Sequence, residues 1–462
     1  MNLKLAAIIF FAAIIRISAL DSHDFWFDEA FTYHVAKLPL RELIQSISAD
    51  NNPPFYYLIM HYLLKIGSDE IFLRIPSVAF SLATIPIIFI LAKKLINTHV
   101  AKLSVLLFTI SPLSIYLSTE SRLHSLALLL AVAVTLSFFH LPKNLNPMKV
   151  IIFVILLTIG FYTQYYIALL LIPFTLIVLK TKRFKTKKWL VIISIPALFM
   201  LPWILYSVQT SHANCWCPNT FLSLPASLVA PAVAGVGIVT MRNFISLPFP
   251  ILVLFSTISV VMLLLFLKGL LKGGEISKIY LIMLIIISSI GLFLPVFSPK
   301  GFSIFIPLYL IIVATGIDSL KTKRVLVPPL VILLGFTSVV QINNPFFRGE
   351  RLKEMANIVS NDQNIPVGHT SLVTFYSSNF YTSQKQKNIL ITTNYLSPTT
   401  VKYIGGKKEK VNQSIDKIWL VDTIKWPNDI ERQSIVDTLY REYQIKMNYQ
   451  IDNIFVSLLE RK

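Results

Sequence analysis

Two adjacent carboxylates follow an aromatic run near the start of the chain. Residues 25–30 read Phe-Trp-Phe-Asp-Glu-Ala, which places Asp28 and Glu29 shortly after an apolar segment. Ionisable groups so close to a membrane segment are costly and tend to be functional. A carboxylate held there could act as a general base toward a hydroxyl group. The structural alternative is that Asp28 caps the following helix and that Glu29 lies in its first turn.

A second acidic motif occupies residues 50–57, which read Asp-Asn-Asn-Pro-Pro-Phe-Tyr-Tyr. The two prolines fix the backbone ahead of the next helix. Asp50 would then point back toward the surface that carries Asp28, and Asn52 and Tyr57 are candidate pocket residues. The alternative is that the motif only terminates a loop.

A third polar cluster contains Glu120, Arg122 and His124, between two apolar segments. Glu120 and Arg122 are two residues apart, so their side chains cannot share a helix face and would reach different partners. Arg122 is a candidate for binding a phosphate group, and Glu120 and His124 are candidates for lining a pocket. The alternative is an ion pair with lipid headgroups at the membrane surface.

We expect three further polar residues on the same side of the molecule as the three clusters above. Arg74 and Lys300 are the other outer cations and are candidates for binding a lipid phosphate, although either could instead extend its stem toward a headgroup. Gln164 lies in a polar run that interrupts an apolar stretch and is a further pocket candidate.

The elements that must position these residues are apolar. The chain has 462 residues, of which 55% are hydrophobic and 14% are charged, and its mean hydropathy is +0.67. Soluble domains carry about 25% charged residues, so an ordinary soluble enzyme and a disordered chain are both excluded. The apolar residues form long blocks that end near residue 341. This pattern predicts an α-helical polytopic membrane domain over residues 1–344.

A transmembrane helix needs about 20 mostly apolar residues, and the sequence predicts about eleven such spans. They cover residues 3–20, 73–92, 103–118, 123–140, 149–163, 165–179, 189–208, 249–267, 279–297, 302–319 and 325–342. We interpret residues 149–179 as two short helices that meet at a polar tip; as a single helix they would reduce the count to ten. Arg16 near the end of the first segment argues against a cleaved signal peptide.

The distribution of charge predicts the orientation of these spans. The formal net charge is +19, and many of the Lys and Arg residues are concentrated in short loops at residues 93–102, 143–149, 180–188, 268–278 and 321–324. Such loops face the cytoplasm under the positive-inside rule, and no nucleic-acid-binding motif accompanies them. We therefore expect a multi-pass protein of the cell (plasma) membrane with a cytoplasmic N-terminus and no nucleic-acid partner. The long loops at residues 21–70 and 209–247 and the C-terminal region would be extracytoplasmic.

The C-terminal residues 345–462 are more polar and alternate between helical and strand patterns. This alternation predicts a small extracytoplasmic α/β domain. The predicted helices cover residues 351–359 and 430–443, and the predicted strands cover residues 366–375, 388–392, 417–422 and 451–459.

The polar clusters share one predicted face, where acidic residues stand beside cations and amphipathic surface helices. Such a layout suits a substrate that is part lipid and part phosphate-linked sugar. Cations would hold the phosphate as it leaves, and a carboxylate would deprotonate the attacking hydroxyl.

The ordered motifs resemble those of the polyprenyl-phosphate-sugar-dependent membrane glycosyltransferases of the GT-C fold, which include protein O-mannosyltransferases and lipid A aminoarabinose transferases. The matching stretches, within about residues 1–345, are residues 28–29, 50–57, 73–77, 120–122 and 201–203. The resemblance implies a GT-C fold similar to that of the dolichyl-phosphate-mannose-protein mannosyltransferases. It implies an enzyme that transfers a hexose or pentose, with inversion, from a polyprenyl-phosphate donor to an acceptor hydroxyl.

The resemblance also implies roles for individual residues. Asp28 matches the family's loop aspartate, which is assigned as general base, and Glu29 matches its partner. Asp50 matches the acidic position of an Asp-x-His-Pro-Pro motif, and Arg122 and Lys300 fall where family cations meet the lipid phosphate. The sequence departs from the family pattern at Asn52 (usually His), Thr119 (commonly Gln), Gln164 (commonly His) and residues 300–302, where Arg-Tyr is common.

Two other functions stay open at the level of the sequence. A lipid-linked glycan polymerase or ligase would share the carrier but usually relies on outer-loop Arg and His rather than on an early Asp-Glu pair. A transporter of polyprenyl-linked substrates would need ionisable groups deep within the spans, where Arg16 is the clearest one. The sequence identifies neither the sugar nor the acceptor, which could be a glycan, a lipid or a protein.

A resident cofactor is not certain from the sequence. His212, Cys215 and Cys217 lie close together but lack a fourth ligand, so we predict no metal site there. A divalent metal elsewhere stays an open alternative. Membrane lipids are expected partners.

Overall fold

The computed structural model describes residues 3–182, 184–210, 248–293, 299–343, 349–382, 385–393, 396–411, 415–423 and 430–462. The first helices are α1 (Leu3–Ser18), α2 (Phe27–Ala36), α3 (Leu40–Ala49), α4 (Phe55–Leu63), α5 (Glu70–Leu95), α6 (Thr98–Ile110), α7 (Pro112–Ser118), α8 (His124–His140), α9 (Pro147–Thr163), α10 (Leu171–Thr181) and α11 (Thr186–Thr210). They are followed by α12 (Phe249–Leu270), α13 (Gly274–Phe293), α14 (Pro299–Phe302), α15 (Ile306–Asp318) and α16 (Lys323–Asn343). Short 3₁₀ helices, Tyr165–Leu170 and Ser303–Phe305, precede α10 and α15.

The C-terminal elements are α17 (Leu352–Val359), β1 (Val367–His369), α18 (Leu372–Tyr381), β2 (Asn388–Leu390), α19 (Pro398–Ile404), β3 (Lys417–Thr423), α20 (Ile430–Glu442), β4 (Tyr443–Ile451) and β5 (Ile454–Arg461). The described residues divide into two compact units. The first falls within Met1–Leu20, Arg74–Val208 and Cys215–Phe346, and the second within Asp21–Leu73, Gln209–Asn214 and Phe347–Lys462.

The first unit is a bundle of apolar helices. Within the described residues, each predicted span overlaps a helix or a pair of short helices. By length and composition, four described helices are able to cross a membrane, namely α5, α11, α12 and α16, and the bent pair α6 and α7 makes a fifth. The shorter apolar helices are His124–His140, Pro147–Thr163, Tyr165–Thr181 and Ser303–Asp318.

The ambiguous stretch at residues 149–179 forms two helices, as predicted. Helix α9 ends at Thr163, Gln164 is extended, and a 3₁₀ turn leads into α10. A Cβ on Gly160 would lie 2.7 Å from Cγ2 of Ile167, so the absence of a side chain at Gly160 lets the two arms pack closely.

The predicted span at residues 103–118 is broken rather than continuous. Helices α6 and α7 meet at an angle of 59°. Ser111, between them, has extended backbone angles (φ −65°, ψ 122°), and its side chain accepts a hydrogen bond from the backbone N–H of Ser114. Pro112 has no N–H to donate to the carbonyl of Phe108, so the α-helical ladder stops here.

The second unit contains a five-stranded mixed sheet in the order β2-β1-β3-β5-β4. Strand β1 is parallel to β2 and β3, while β5 is antiparallel to β3 and β4. Strand β3 is buried on both faces: Trp419 and Val421 pack in one apolar core, and Ile418 and Leu420 pack in the other.

Two predictions in the C-terminal region are corrected. The predicted strand at residues 366–375 ends at His369, because Ser371 accepts a hydrogen bond from the N–H of Val373 and begins α18. The predicted final strand is the second arm of a hairpin, whose first arm, β4, was not predicted. The residues of β4 read Tyr-Gln-Ile-Lys-Met-Asn-Tyr-Gln-Ile and alternate strictly between apolar and polar side chains, so the sequence carried a strand signal here, although most of these residues are exposed.

Residues 21–73 pack in the same unit as the C-terminal region. The sequence alone predicts that this loop belongs to the membrane domain, residues 1–344. The loop therefore packs against a segment more than 270 residues away in the chain. For example, the hydroxyl of Tyr381 lies 2.7 Å from the backbone nitrogen of Phe25.

Candidate functional site

The predicted catalytic carboxylates lie in the first turn of α2. Trp26, in an extended conformation, occupies the position that precedes the helix, so Asp28 is not the capping residue that the structural alternative required. Asp28 is half-buried and Glu29 is fully buried. Both carboxylates are near the positive end of the helix dipole, which attracts negative charge.

A histidine accompanies the buried carboxylate. Nδ1 of His23 lies 3.8 Å from Oε2 of Glu29. The same nitrogen lies 3.0 Å from the backbone oxygen of Asp24. Glu29 thus has an ionisable neighbour on its own loop, whereas Asp28 is the more accessible of the two carboxylates.

Helix α18 holds α2 in place within the second unit. The ring of Phe25 stacks on that of Phe380 with their centroids 4.2 Å apart, and Tyr33 meets Phe380 edge-on. Nε2–H of His34 donates to the backbone oxygen of Tyr376 at 3.1 Å. Burial lowers the pKa of His34 to about 4, so the ring is neutral and its role is structural.

Asp50 links residues 21–73 to α19 by hydrogen bonds. Its carboxylate accepts hydrogen bonds from the backbone N–H of Ser397, at 2.8 Å, and from the hydroxyl of Thr400. Burial raises the pKa of Asp50, and the hydrogen bonds from Thr400 and Ser397 oppose this shift. These contacts explain how Asp50 anchors the loop that carries α2.

The two neighbours predicted beside Asp50 have local contacts. The side-chain amide of Asn52 donates to the backbone oxygen of Asp50 at 3.2 Å. Tyr57, on α4, is fully buried and meets the ring of Phe31, on α2, edge-on at 6.2 Å. Tyr57 therefore contributes to the packing of α4 against α2.

The polar cluster of the first unit lies in the turn between α7 and α8. Glu120 is fully buried and Arg122 is half-buried. The N–H of Arg122 donates to the carbonyl of Glu120 at 2.8 Å, which closes a tight turn. His124, buried, is the first residue of α8. Three of the predicted polar residues are thus held within one turn.

Arg74 lies near this turn. It is fully buried, and its Nη1 donates to the backbone oxygen of Leu20 at 2.8 Å, just past the end of α1. Ser77, one helical turn beyond Arg74 on α5, lies 3.5 Å from the backbone oxygen of Arg122. The structure therefore brings Arg74 and Arg122 to the same end of the helical unit.

The other predicted residues are placed as follows. Gln164 is half-buried at the tip between α9 and α10, where its N–H donates to Gly160 and its carbonyl accepts from Ile167. The side chain of Lys300 lies outside the described residues, as do His212, Cys215 and Cys217. Within the described ranges, no group of three or more His, Cys, Asp or Glu residues is arranged to hold a metal.

Sequence reasoning missed the aromatic residues of α18 that fix the carboxylate helix. Because the sequence predicts a strand over residues 366–375, it assigns no role to Tyr376, Phe380 and Tyr381. A signal was present, because Tyr376 and Phe380 are four residues apart and share a helix face.

Comparison with known proteins adds a family match. Residues 51–206 match the family model described as dolichyl-phosphate-mannose-protein mannosyltransferase. Among curated proteins, none matches the chain significantly.

Solved structures match nearly the whole chain. ArnT from Cupriavidus metallidurans in the apo state is 12% identical with a TM-score of 0.64, over 98% of this chain and 97% of that one. The same protein bound to undecaprenyl phosphate is 11% identical with a TM-score of 0.62, over 98% of both chains. The chain has the GT-C fold.

A further solved structure has the same fold. The archaeal oligosaccharyltransferase AglB from Archaeoglobus fulgidus, in complex with an inhibitory peptide and a dolichol-phosphate, is 10% identical with a TM-score of 0.55. The match covers 98% of this chain and 74% of AglB. At these identities the likeness establishes the GT-C fold alone.

Proposed function

We propose that the protein is an integral membrane glycosyltransferase that moves a hexose or pentose from a polyprenyl-phosphate carrier to an acceptor hydroxyl at the extracytoplasmic face. The observation that carries this proposal is the match of 98% of the chain to ArnT bound to undecaprenyl phosphate. The match of residues 51–206 to a mannosyltransferase family model supports the same reaction class.

The proposed chemistry is a single displacement. The acceptor oxygen forms a bond to the anomeric carbon of the sugar while the bond from that carbon to the phosphate oxygen breaks. The electron pair of the broken bond leaves with the polyprenyl phosphate, and the hydroxyl proton passes to a carboxylate. Attack opposite to the leaving group inverts the configuration of the anomeric carbon.

We assign the base role to Asp28. Its half-buried position leaves it more accessible than the fully buried Glu29. We propose that Glu29 reinforces the negative charge beside Asp28, and that Asp50 positions α2 through its hydrogen bonds to Ser397 and Thr400.

We assign the binding of the leaving phosphate to Arg122 and Arg74, with Lys300 as a third candidate. Fixed cations favour the charge that develops on a departing phosphate, because they need no reorganisation during the reaction. Glu120, His124, Asn52, Tyr57 and Gln164 are the candidate residues for the sugar and acceptor pocket.

The proposed placement is a multi-pass protein of the plasma membrane with eleven spans. The remaining spans would be the apolar helices α1, α8, α9, α10, α13 and α15. With the N-terminus in the cytoplasm, an odd number of spans places residues 345–462 outside.

The test is transfer by the purified protein in detergent or liposomes. A panel of polyprenyl-phosphate monosaccharides is supplied with a mixture of membrane glycolipids and protein acceptors, and the anomeric configuration of the product is read by NMR. Inverted product from one monosaccharide donor supports the proposal. Transfer only from a diphosphate-linked oligosaccharide would indicate the polymerase or ligase alternative, and carrier movement across liposomes without transfer would indicate a transporter.

A further inference from the structure

Arg16 is an arginine within the apolar helix α1, and no step of the proposed reaction uses it. Its side chain is fully buried. A guanidinium group has five N–H donors and cannot be deprotonated at ordinary pH, so burial in a membrane protein requires an acceptor for each donor.

All five donors have acceptors. Nε donates to Oγ of Ser81 at 2.8 Å. Nη1 donates to the carbonyls of Ala12, at 3.3 Å, and Thr109, at 3.2 Å. Nη2 donates to the carbonyl of Phe108, at 3.3 Å, and to Oγ of Ser114, at 3.4 Å.

The acceptors on α6 are the ones that the break in the helix leaves open. In a continuous helix the carbonyl of Phe108 would accept from residue 112, but residue 112 is proline and has no N–H. The carbonyl of Thr109 would accept from residue 113, but the extended backbone of Ser111 turns the chain away. Unpaired carbonyls are costly in a bilayer, so these two carbonyls need donors from outside the helical ladder.

Arg16 supplies that donor together with Ser114, whose hydroxyl also donates to the carbonyl of Phe108. The positive guanidinium also stands at the C-terminal end of α6, where the helix dipole favours a cation. The guanidinium carbon lies 5.5 Å from the centre of the Phe108 ring, which adds a cation–π contact.

The break determines where the polar turn lies. Helix α7 leaves the break at 59° to α6 and ends at Ser118, directly before the turn with Glu120 and Arg122. The hydroxyl of Ser125, in α8, donates to the carbonyl of Leu117, in α7, at 2.8 Å, so a hydrogen bond joins the two helices across the turn. A change in the direction of α7 would therefore move Arg122.

We propose that Arg16 is a positioning residue that stabilises the bend between α6 and α7 and thereby places Glu120 and Arg122 for the reaction. This inference rests on the proposed function for its kinetic consequence, but not for its structural one. Lys is a poor substitute, because its ammonium has three donors for five acceptors.

The experiment compares Arg16→Met, Arg16→Lys and Pro112→Ala/Arg16→Met with the control variants Lys4→Met, an exposed cation on α1, and Pro86→Ala, a proline within α5. The double variant allows α6 to continue through residue 112, so the carbonyl of Phe108 regains a backbone donor. We expect Arg16→Met to lower thermal stability and the double variant to recover much of it.

Transfer should behave differently from stability. The double variant should stay slow by about 10²-fold, because a straightened helix leaves Arg122 displaced by an ångström or more. The loss should appear in kcat and in the affinity for the carrier together, Arg16→Lys should recover part of it, and both controls should transfer normally. A double variant that is both stable and fully active would overturn the proposal.

A second measurement needs no activity. Spin labels at Lys102 on α6 and Tyr116 on α7, in a Cys215→Ser/Cys217→Ser background, report the bend by pulsed EPR. A continuous helix would separate these positions by about 21 Å, and the bend shortens this distance. We expect the double variant to move toward the longer distance. An unchanged distance would overturn the proposal, whereas absence of transfer in the wild type with every donor would overturn only the proposed function.

Discussion

The proposed role of Asp28 as the base can be tested without disturbing the fold. Asn has the same size and also suits the first turn of a helix, so Asp28→Asn removes the charge and the basicity while α2 is kept. We expect this variant to unfold at the wild-type temperature, to bind the carrier lipid, and to transfer about 10²-fold more slowly. Thermal unfolding and initial transfer rates measure both effects.

Asp24→Asn is the matched control for Asp28. The Oδ2 atom of Asp24 accepts a hydrogen bond from the N–H of Lys353 at 2.8 Å, and an Asn oxygen can do the same. This variant should keep its transfer rate. Full activity in a stable Asp28→Asn protein would move the base role to Glu29 or Asp50.

Arg122 is proposed to bind the phosphate as it leaves. Arg122→Ala should raise the barrier by about 2–4 kcal/mol, the usual effect of losing one preorganised electrostatic contact. Arg122→Lys should recover only part of the rate, because Lys lacks the planar, two-pronged donor group. Steady-state kinetics with a defined donor give both values, and Arg41→Ala, which removes an exposed cation on α3, serves as the control. Near-normal turnover of a folded Arg122→Ala protein would exclude Arg122 from the site.

Much of the candidate site could be predicted from residue types alone. Asp28, Glu29, Glu120 and Arg122 stand out because charged groups beside long apolar segments are conspicuous. The support of Asp28 comes from Phe380 and Tyr376 in a distant segment. Their spacing marks a shared helix face, but it does not show that this face packs against α2. The contacts of Asp50 were equally hidden, since Ser397 and Thr400 carry no distinctive pattern.

Helices α12 and α15 cross at two glycines that allow their backbones to touch. A Cβ on Gly316 would lie 2.0 Å from the carbonyl oxygen of Leu265, and a Cβ on Gly269 would lie 1.9 Å from that of Ile312. Both obstacles are backbone atoms, which cannot rotate away. Small residues at helix crossings are a common basis of packing in membranes.

Gly316→Ala should therefore destabilise the helical unit by about 1–3 kcal/mol or more, because the two helices must separate. Gly335→Ala in α16 is the matched control, since no atom lies within 4 Å of the position of its Cβ. Thermal or detergent denaturation of the two variants should differ clearly in midpoint. Equal midpoints would show that the crossing is looser than the structure indicates.

At the level of elements, apolar length predicted where the helices lie, but local chemistry decided how they are shaped. The break at Pro112 could have been read from the sequence, because proline removes one hydrogen bond of the ladder. Its stabilisation by Arg16 could not, since Arg16 and Ser114 are 98 residues apart. Strand β4 could also have been read from the sequence, because its apolar and polar residues alternate strictly, which is the pattern of a strand.

The orientation of the whole molecule can be tested with reporter fusions. The basic loops predict that Lys188 is cytoplasmic and that Gly349 is extracytoplasmic, so reporters fused after these residues should give opposite signals. A third fusion after Lys272 should report the same side as Lys188. Cytoplasmic signals at both Lys188 and Gly349 would contradict the proposed placement of the C-terminal region.

The sequence by itself determined that the chain is a membrane protein, roughly where its helices lie, and which charged residues are candidates for chemistry. These features are local, because a bilayer requires each spanning segment to be apolar over about 20 residues and to satisfy its own backbone hydrogen bonds. Only the tertiary structure decided that residues 21–73 pack with the C-terminal region and that Arg16 pairs with the open carbonyls of α6. Both depend on acceptors and packing surfaces that come together only when distant segments fold against each other, and no local pattern encodes them.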